Sequence, residues 1–162
     1  AEIAVHAALT GHLVLSTLHT NDAVSAVARL ADLGIEPFLI ASSLEGVIAQ
    51  RLVRKICHQC KTAYKPSKEE LEELGLEGDY IFYNGLGCEH CMGTGYKGRT
   101  GIFEVLELDE GLKQFILKTQ DATAIKRFAK EKGFKDMLQD GVNKVLQGIT
   151  TSEELIRAIK VE

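Results

Sequence analysis

Two short cysteine pairs constrain this chain more than any other feature of its sequence. Cys57 and Cys60 form one Cys-x-x-Cys pair and Cys88 and Cys91 form a second, with 27 residues between the pairs. Four thiolates in two such pairs suit tetrahedral zinc in a closed structural site, where the metal supplies folding energy and performs no chemistry. The gap is longer than in the commonest zinc ribbons, and a looped-out helix over Glu69–Leu74 accounts for the excess. Gly93 and Gly95, just past the second pair, let the backbone wrap tightly and aim amides at sulfur. Redox pairs are the rival use, but neither pair sits at a helix start behind a βαβ-type strand. His58 and His90 lie inside the pairs as alternative ligands; with four thiols available they read as loop residues. Residues 57–98 are therefore expected to form a zinc module, because about 40 residues cannot build a sufficient apolar core alone.

Composition bounds the rest. With 162 residues, the chain has room for one domain carrying a small insert. A net charge of −4 opposes nucleic-acid binding by phosphate neutralisation, although Arg51, Arg54 and Lys55 make a local basic patch. No apolar run approaches the roughly 20 residues that cross a bilayer, and no transmembrane segment is expected. Four cysteines without a secretory leader point to a reducing compartment. The start, Ala1-Glu2-Ile3-Ala4-Val5, lies inside a helical pattern with no cap before it, so the chain reads as a piece of something longer.

The periodicity predicts an α/β protein. A helix over residues 1–9 is followed by a strand over Leu13–Leu18, buried on both faces. The next helix, capped by Thr20 or Asn21, carries Val24, Val27, Ala28 and Ala31 at helical spacing and ends at Gly34. A further helix is expected from Pro37 to about Gln50, then a short strand over Arg51–Ile56. After the cysteine-bearing stretch, 99–108 reads as a returning core strand. Helices follow over 109–119, 121–132, 134–147 and 152–160, the last with Thr151 and Glu154 spaced as a capping box. The organisation expected is a partial core over 1–56, the zinc module over 57–98, the strand 99–108 and a helical subdomain over 109–162.

Two further stretches could touch a ligand. "GTGYKGRT", Gly93–Thr100, nearly matches a phosphate loop, with Arg99 in the lysine position. A phosphate loop follows a strand and opens a helix; this one leaves a cysteine knuckle and enters a strand, and reads as a glycine-rich hinge. "GHLVLSTLHTND", residues 11–22, runs instead from an apolar strand into a polar cluster. His19 falls beyond that strand's carboxyl end, where ligands of open α/β sheets sit. Position alone leaves it open whether His19 is one wall of a site or a loop histidine bonded to its own backbone.

The stretches "TGHLVLSTLHTNDA", "ADLGIEPFLIASSL", "AQRLVRKIC", "GYKGRTGIFEVLEL" and "QGITTSEEL" together resemble the ATPases that power type II secretion and type IV pilus assembly. The resemblance runs from Ala1 to the last helix. It implies the second half of a RecA-like ATPase domain with an inserted tetracysteine zinc module and a C-terminal helical subdomain. It also implies a homo-hexamer in the cytoplasm, peripheral to the bacterial inner membrane, driving a platform protein there. His12 and His19 fall on the family's histidine box, which faces the γ-phosphate of ATP. Cys57, Cys60, Cys88 and Cys91 match the zinc module of the secretion and assembly members, which the pilus-retraction members lack. Arg51, Arg54 and Arg99 are candidates for phosphate or subunit contacts. The lysine-bearing phosphate loop, the aspartate box, the magnesium-side acidic motif and the catalytic glutamate of that family have no counterpart between Ala1 and Glu162. ATP and magnesium are therefore expected in a longer protein, and this chain alone is expected to be inactive. The competing class is a non-enzymatic zinc ribbon binding protein or nucleic acid. Tyr64, Tyr80, Phe82, Tyr83 and Tyr96 would serve it, but the acidic run around Glu69–Asp79 opposes a phosphate backbone.

Overall fold

The computed structural model describes residues 1–160; the last two residues of the expected 109–162 subdomain lie outside the described residues. The chain is mixed α/β and forms two compact units, residues 1–49 with 104–135, and residues 50–103 with 136–162.

The first unit contains α1 (Glu2–Leu9), α2 (Ser25–Asp32), α3 (Pro37–Ser43), α5 (Glu110–Ile116) and α6 (Ala122–Glu131). It also holds the start of β1 (Gly46–Ile56) and the end of β4 (Tyr96–Glu107). Its core gathers Val24 at the start of α2, Val27 of α2, Ile40 of α3, Leu112 and Ile116 of α5 and Ile125 of α6 around Leu106 and Leu108. Phe115 and Phe128 stack at 4.4 Å between α5 and α6. Val24 and Val27 are buried as their spacing predicts, and Gly34 ends the α2 segment at φ 86°.

Three sequence expectations fail here for identifiable reasons. Leu13–Leu18 forms no strand: its segment is without regular structure, and Leu13 and Leu15 are 87% and 88% exposed. A buried strand needs neighbours for its amides and carbonyls, and the described strands pair only β1 with β4 and β2 with β3. Neither Thr20 nor Asn21 caps α2: Val24 stands at its start with no side-chain cap, and Asp22 Oδ1 accepts from Ser25 N–H at 2.7 Å just ahead of it. The α3 helix stops at Ser43 rather than Gln50, and β1 starts at Gly46 rather than Arg51. Ser42 and Ser43 turn their hydroxyls back onto the carbonyls of Phe38 and Leu39, which loosens that last turn. Val47 and Ile48 then take the extended backbone that β-branched side chains favour.

The second unit contains the rest of β1 and β4, the antiparallel pair β2 (Lys61–Tyr64) and β3 (Phe82–Gly85), and α4 (Lys68–Glu73), α7 (Met137–Leu146) and α8 (Ser152–Lys160). The looped-out helix appears as α4, opened by a capping box between Ser67 and Glu70. The β2–β3 pair around it pairs Lys61 with Gly85 through to Tyr64 with Phe82. Phe82 is fully buried, and Val53, Ile102, Val145 and Leu155 are likewise closed to solvent. Gly141 lets α8 lie close on α7, since a Cβ there would meet Leu155 Cδ1.

The expected capping box of α8 is half made. Thr151 Oγ1 accepts from Glu154 N–H, but the Glu154 carboxylate turns inward. It is 1% exposed and takes the Arg54 backbone N–H, the Arg54 guanidinium at 2.6 Å and the Arg157 guanidinium at 2.6 Å.

Candidate metal centre and histidine segment

The four cysteine sulfurs converge within 4.8 Å of one another. The Cys57–Cys88 and Cys60–Cys91 sulfurs are 3.8 Å apart, and those of Cys88 and Cys91 are 3.7 Å apart. A tetrahedral zinc with bonds near 2.3 Å sets its sulfurs about 3.8 Å apart, so the cluster has the edge length that the metal requires. The free-cysteine spacing is also far beyond the roughly 2.0 Å of a disulfide.

Local backbone builds this arrangement. Cys88–Cys91 closes on a 3-10 turn over Glu89–Cys91, followed by Met92 in the left-handed region at φ 53°. Cys88 N–H and Gly95 N–H both donate to the Cys91 sulfur at 3.2 Å. Burial opposes ionisation of Cys91, but the Cys88 and Gly95 amides and the neighbouring thiols outweigh it and bring Cys91 down to about 6. Burial wins at Cys60, which is pushed up to about 12 despite the Gly87 amide. A metal-free cluster thus holds a ready thiolate at Cys91 beside a protonated thiol at Cys60, whose proton a divalent cation would displace.

The glycines expected to aim amides at sulfur divide their work. Gly95 reaches Cys91, while Gly93 donates to the Cys88 carbonyl. Gly85 and Gly95 pass so closely that a Cβ on Gly95 would fall 2.4 Å from the Gly85 carbonyl oxygen. The stretch that mimics a phosphate loop therefore wraps the cysteine cluster and runs directly into β4. His58 and His90 pack edge to face on each other at 5.1 Å, beside the sulfur cluster.

The histidines of the opening segment are both exposed. His12 Nδ1 lies 3.0 Å from Thr10 Oγ1 and 3.2 Å from the Ala7 carbonyl, at the turn that closes α1. His19 lies near the end of the irregular segment, three residues before Asp22. One residue that the sequence reading passed over acts at this place. Glu104, 3% exposed on β4, accepts a hydrogen bond from Ala23 N–H and ties the chain just beyond the HTND cluster to the strand. Its signal was the alternation of "IFEVL", which turns a carboxylate inward between Ile102 and Leu106.

The arginines go to different places. Arg54 joins Glu154 and lies over the Tyr96 ring at 4.1 Å, and Glu154 holds its guanidinium above the ordinary range. Arg51 donates to the Ala158 carbonyl of α8. Arg99 is exposed on β4.

Fold and site define a mixed α/β protein whose second unit carries four cysteines close enough to hold a metal ion. Comparison with known proteins then identifies its kin. A family model described as "Type II/IV secretion system protein" matches residues 1–157, and the chain belongs to that family. It is 51% identical over 160 residues to the type IV pilus assembly ATPase PilB of Thermus thermophilus, covering 96% of this chain and 18% of that protein. It is 48% identical to the type II secretion system protein E of Dickeya dadantii, covering all of this chain and 32% of the relative. The type II secretion system ATPase E of Vibrio cholerae is 49% identical, over 99% of this chain and 32% of the relative. The chain thus spans about a fifth to a third of the length of these curated relatives.

Proposed function

We propose that the chain is the second half of a RecA-like motor domain in an ATPase that powers type II secretion or type IV pilus assembly. The observation that carries this reading is similarity across essentially the whole chain to proteins named for those two machines. In this reading the intact protein works as a cytoplasmic homo-hexamer, peripheral to the inner membrane, and drives a platform protein there. ATP and magnesium bind through a phosphate loop and acidic groups supplied elsewhere in the protein. His12 and His19 meet the γ-phosphate; an imidazole can donate one N–H to an anion while its other nitrogen holds a backbone or hydroxyl partner. The thiolates of Cys57, Cys60, Cys88 and Cys91 hold zinc, which supplies rigidity there. Arg51 and Arg99 remain candidates for phosphate or subunit contacts. Arg54 shares that candidacy with the structural pairing to Glu154.

The experiment compares the 162-residue chain with the intact protein. Phosphoryl transfer depends on a phosphate cradle, a lysine and held magnesium, so the chain alone is expected to hydrolyse no ATP. In the intact protein, His19→Ala is expected to lower kcat more than nucleotide affinity, the pattern of a contact strongest in the transition state. Magnesium-dependent hydrolysis by the isolated chain would refute the division of labour. An intact His19→Ala protein with full turnover would remove His19 from the site.

A further inference from the structure

The first unit carries a cavity of about 410 Å³ lined by no cysteine and no histidine. Asp22 and Ser25 at the start of α2 line one part of it; Thr123, Lys126, Arg127 and Lys130 of α6 line another. On a helix, positions three and four apart share a face, which places Lys130 beside both Lys126 and Arg127. The cavity is an open hollow of the surface, with Thr123, Arg127 and Lys130 exposed at its edge.

Two cations in this cavity lack the carboxylate partner that some lysines elsewhere in the molecule have. Lys113, Lys132 and Lys144 are matched by Glu45, Asp109 and Asp140. Among the described residues, neither Lys126 nor Arg127 has a carboxylate within ion-pair distance. Lys126 and Arg127 thus face a cavity holding one carboxylate, in a chain whose net charge is −4. The helix starts add little, because Asp22 already takes Ser25 N–H and Asp121 takes Thr123 N–H. What is left for a ligand is an ammonium, a guanidinium fork and the hydroxyls of Ser25 and Thr123. A guanidinium binds two oxygens of a phosphate side by side, an ammonium neutralises a further charge, and hydroxyls serve the remaining oxygens. A multiply charged tetrahedral oxyanion matches this set better than a single carboxylate.

We propose that this cavity binds a phosphate-bearing anion, held chiefly by Lys126 and Arg127 and bridging α2 to α6. The inference stands independently of the motor function proposed above. It is tested by titrating the isotope-labelled chain with sodium pyrophosphate at low ionic strength while following backbone amide resonances, with sodium chloride as control. Saturable shifts centred on Ser25, Thr123, Lys126 and Arg127 are expected, with affinity about tenfold weaker in Lys126→Gln/Arg127→Gln. Lys126→Arg keeps the charge and is expected to keep binding. Unchanged resonances elsewhere in the double variant establish that it remains folded. Cosedimentation with phosphatidylglycerol vesicles distinguishes the source of the phosphate. Vesicle binding that is lost in the double variant assigns a lipid headgroup, whereas pyrophosphate binding without cosedimentation assigns a free phosphate compound. Shifts that chloride reproduces, or binding by either probe that the double variant retains, would overturn the proposal. So would the absence of both pyrophosphate and vesicle binding.

Discussion

Glu154 offers the sharpest test of how the second unit holds together. Its carboxylate is the single buried acceptor for three donors: Arg54 N–H, the Arg54 guanidinium and the Arg157 guanidinium. Glu154→Gln preserves the shape and one carbonyl oxygen for the Arg54 N–H, but removes the charge and puts a donating NH2 where Oε1 accepted from both guanidiniums. The Arg54 and Arg157 side chains are 43% and 59% exposed, so water can take back both cations. Each lost ion pair therefore belongs near the surface scale of up to about 1 kcal/mol, and Gln should cost about 1–2 kcal/mol in all. Glu154→Ala also strands the Arg54 N–H, worth about 1–3 kcal/mol, and empties a packed position, for a total of about 3–4 kcal/mol. At this chain length about 1 kcal/mol moves the melting temperature by roughly 2–4 °C, so Ala is expected to melt roughly 6–16 °C below the parent.

The same site predicts a pH dependence. Burial pushes the Glu154 carboxyl up, but the Arg54 guanidinium and amide, with Arg157, pull it further down, leaving it below its ordinary value of 4.5. A carboxyl with a depressed folded-state value binds its proton more readily when unfolded, so its stabilisation is complete above the ordinary value. It is lost as pH falls through the folded value. Urea melts of the parent and Glu154→Gln should therefore differ fully at neutral pH and converge in acid. Equal costs for Gln and Ala, or a gap that persists unchanged in acid, would refute the assignment of charge to this buried clip.

Other expectations follow from the cysteine cluster and the close contacts. Protein purified without added metal should carry about one zinc per chain by elemental analysis. Cys88→Ser should lower metal content and increase amide exchange around 57–98, because a structural zinc contributes folding energy. Gly95→Ala forces a Cβ onto the Gly85 carbonyl at φ 76° and should destabilise the chain by about 2 kcal/mol or more in urea melts, with loss of zinc affinity. Glu104→Ala strands Ala23 N–H beneath the segment bearing His19 and should cost about 1–3 kcal/mol, whereas Glu104→Gln keeps an acceptor and should cost less.

Features written in local chemistry were readable from the sequence. Gly34 marks its left-handed stop, Val24 and Val27 declare a buried helix face, and the cysteine spacing brings four sulfurs together. Features that depend on a distant partner were not. "SLEGVIAQR" carries helix and strand signals at once, and pairing with β4 decides for strand from Gly46 onward. Thr151 and Glu154 have the spacing of a capping box, yet Arg54, a hundred residues earlier in the chain, captures the glutamate and leaves Thr151 to cap alone. Leu13–Leu18 is the instructive extreme. Its apolar, β-branched texture records an environment in which both faces are covered, while the described strands offer it no ladder. An exposed segment of this kind is costly in water at about 25 cal/mol for each square ångström of apolar surface. Its composition makes physical sense where further strands pair with it, and such pairing would hold the extended backbone between His12 and His19. The pairing of this segment and the placement of the two imidazoles are therefore coupled. Any partner strand that orders Leu13–Leu18 also fixes where both imidazoles point.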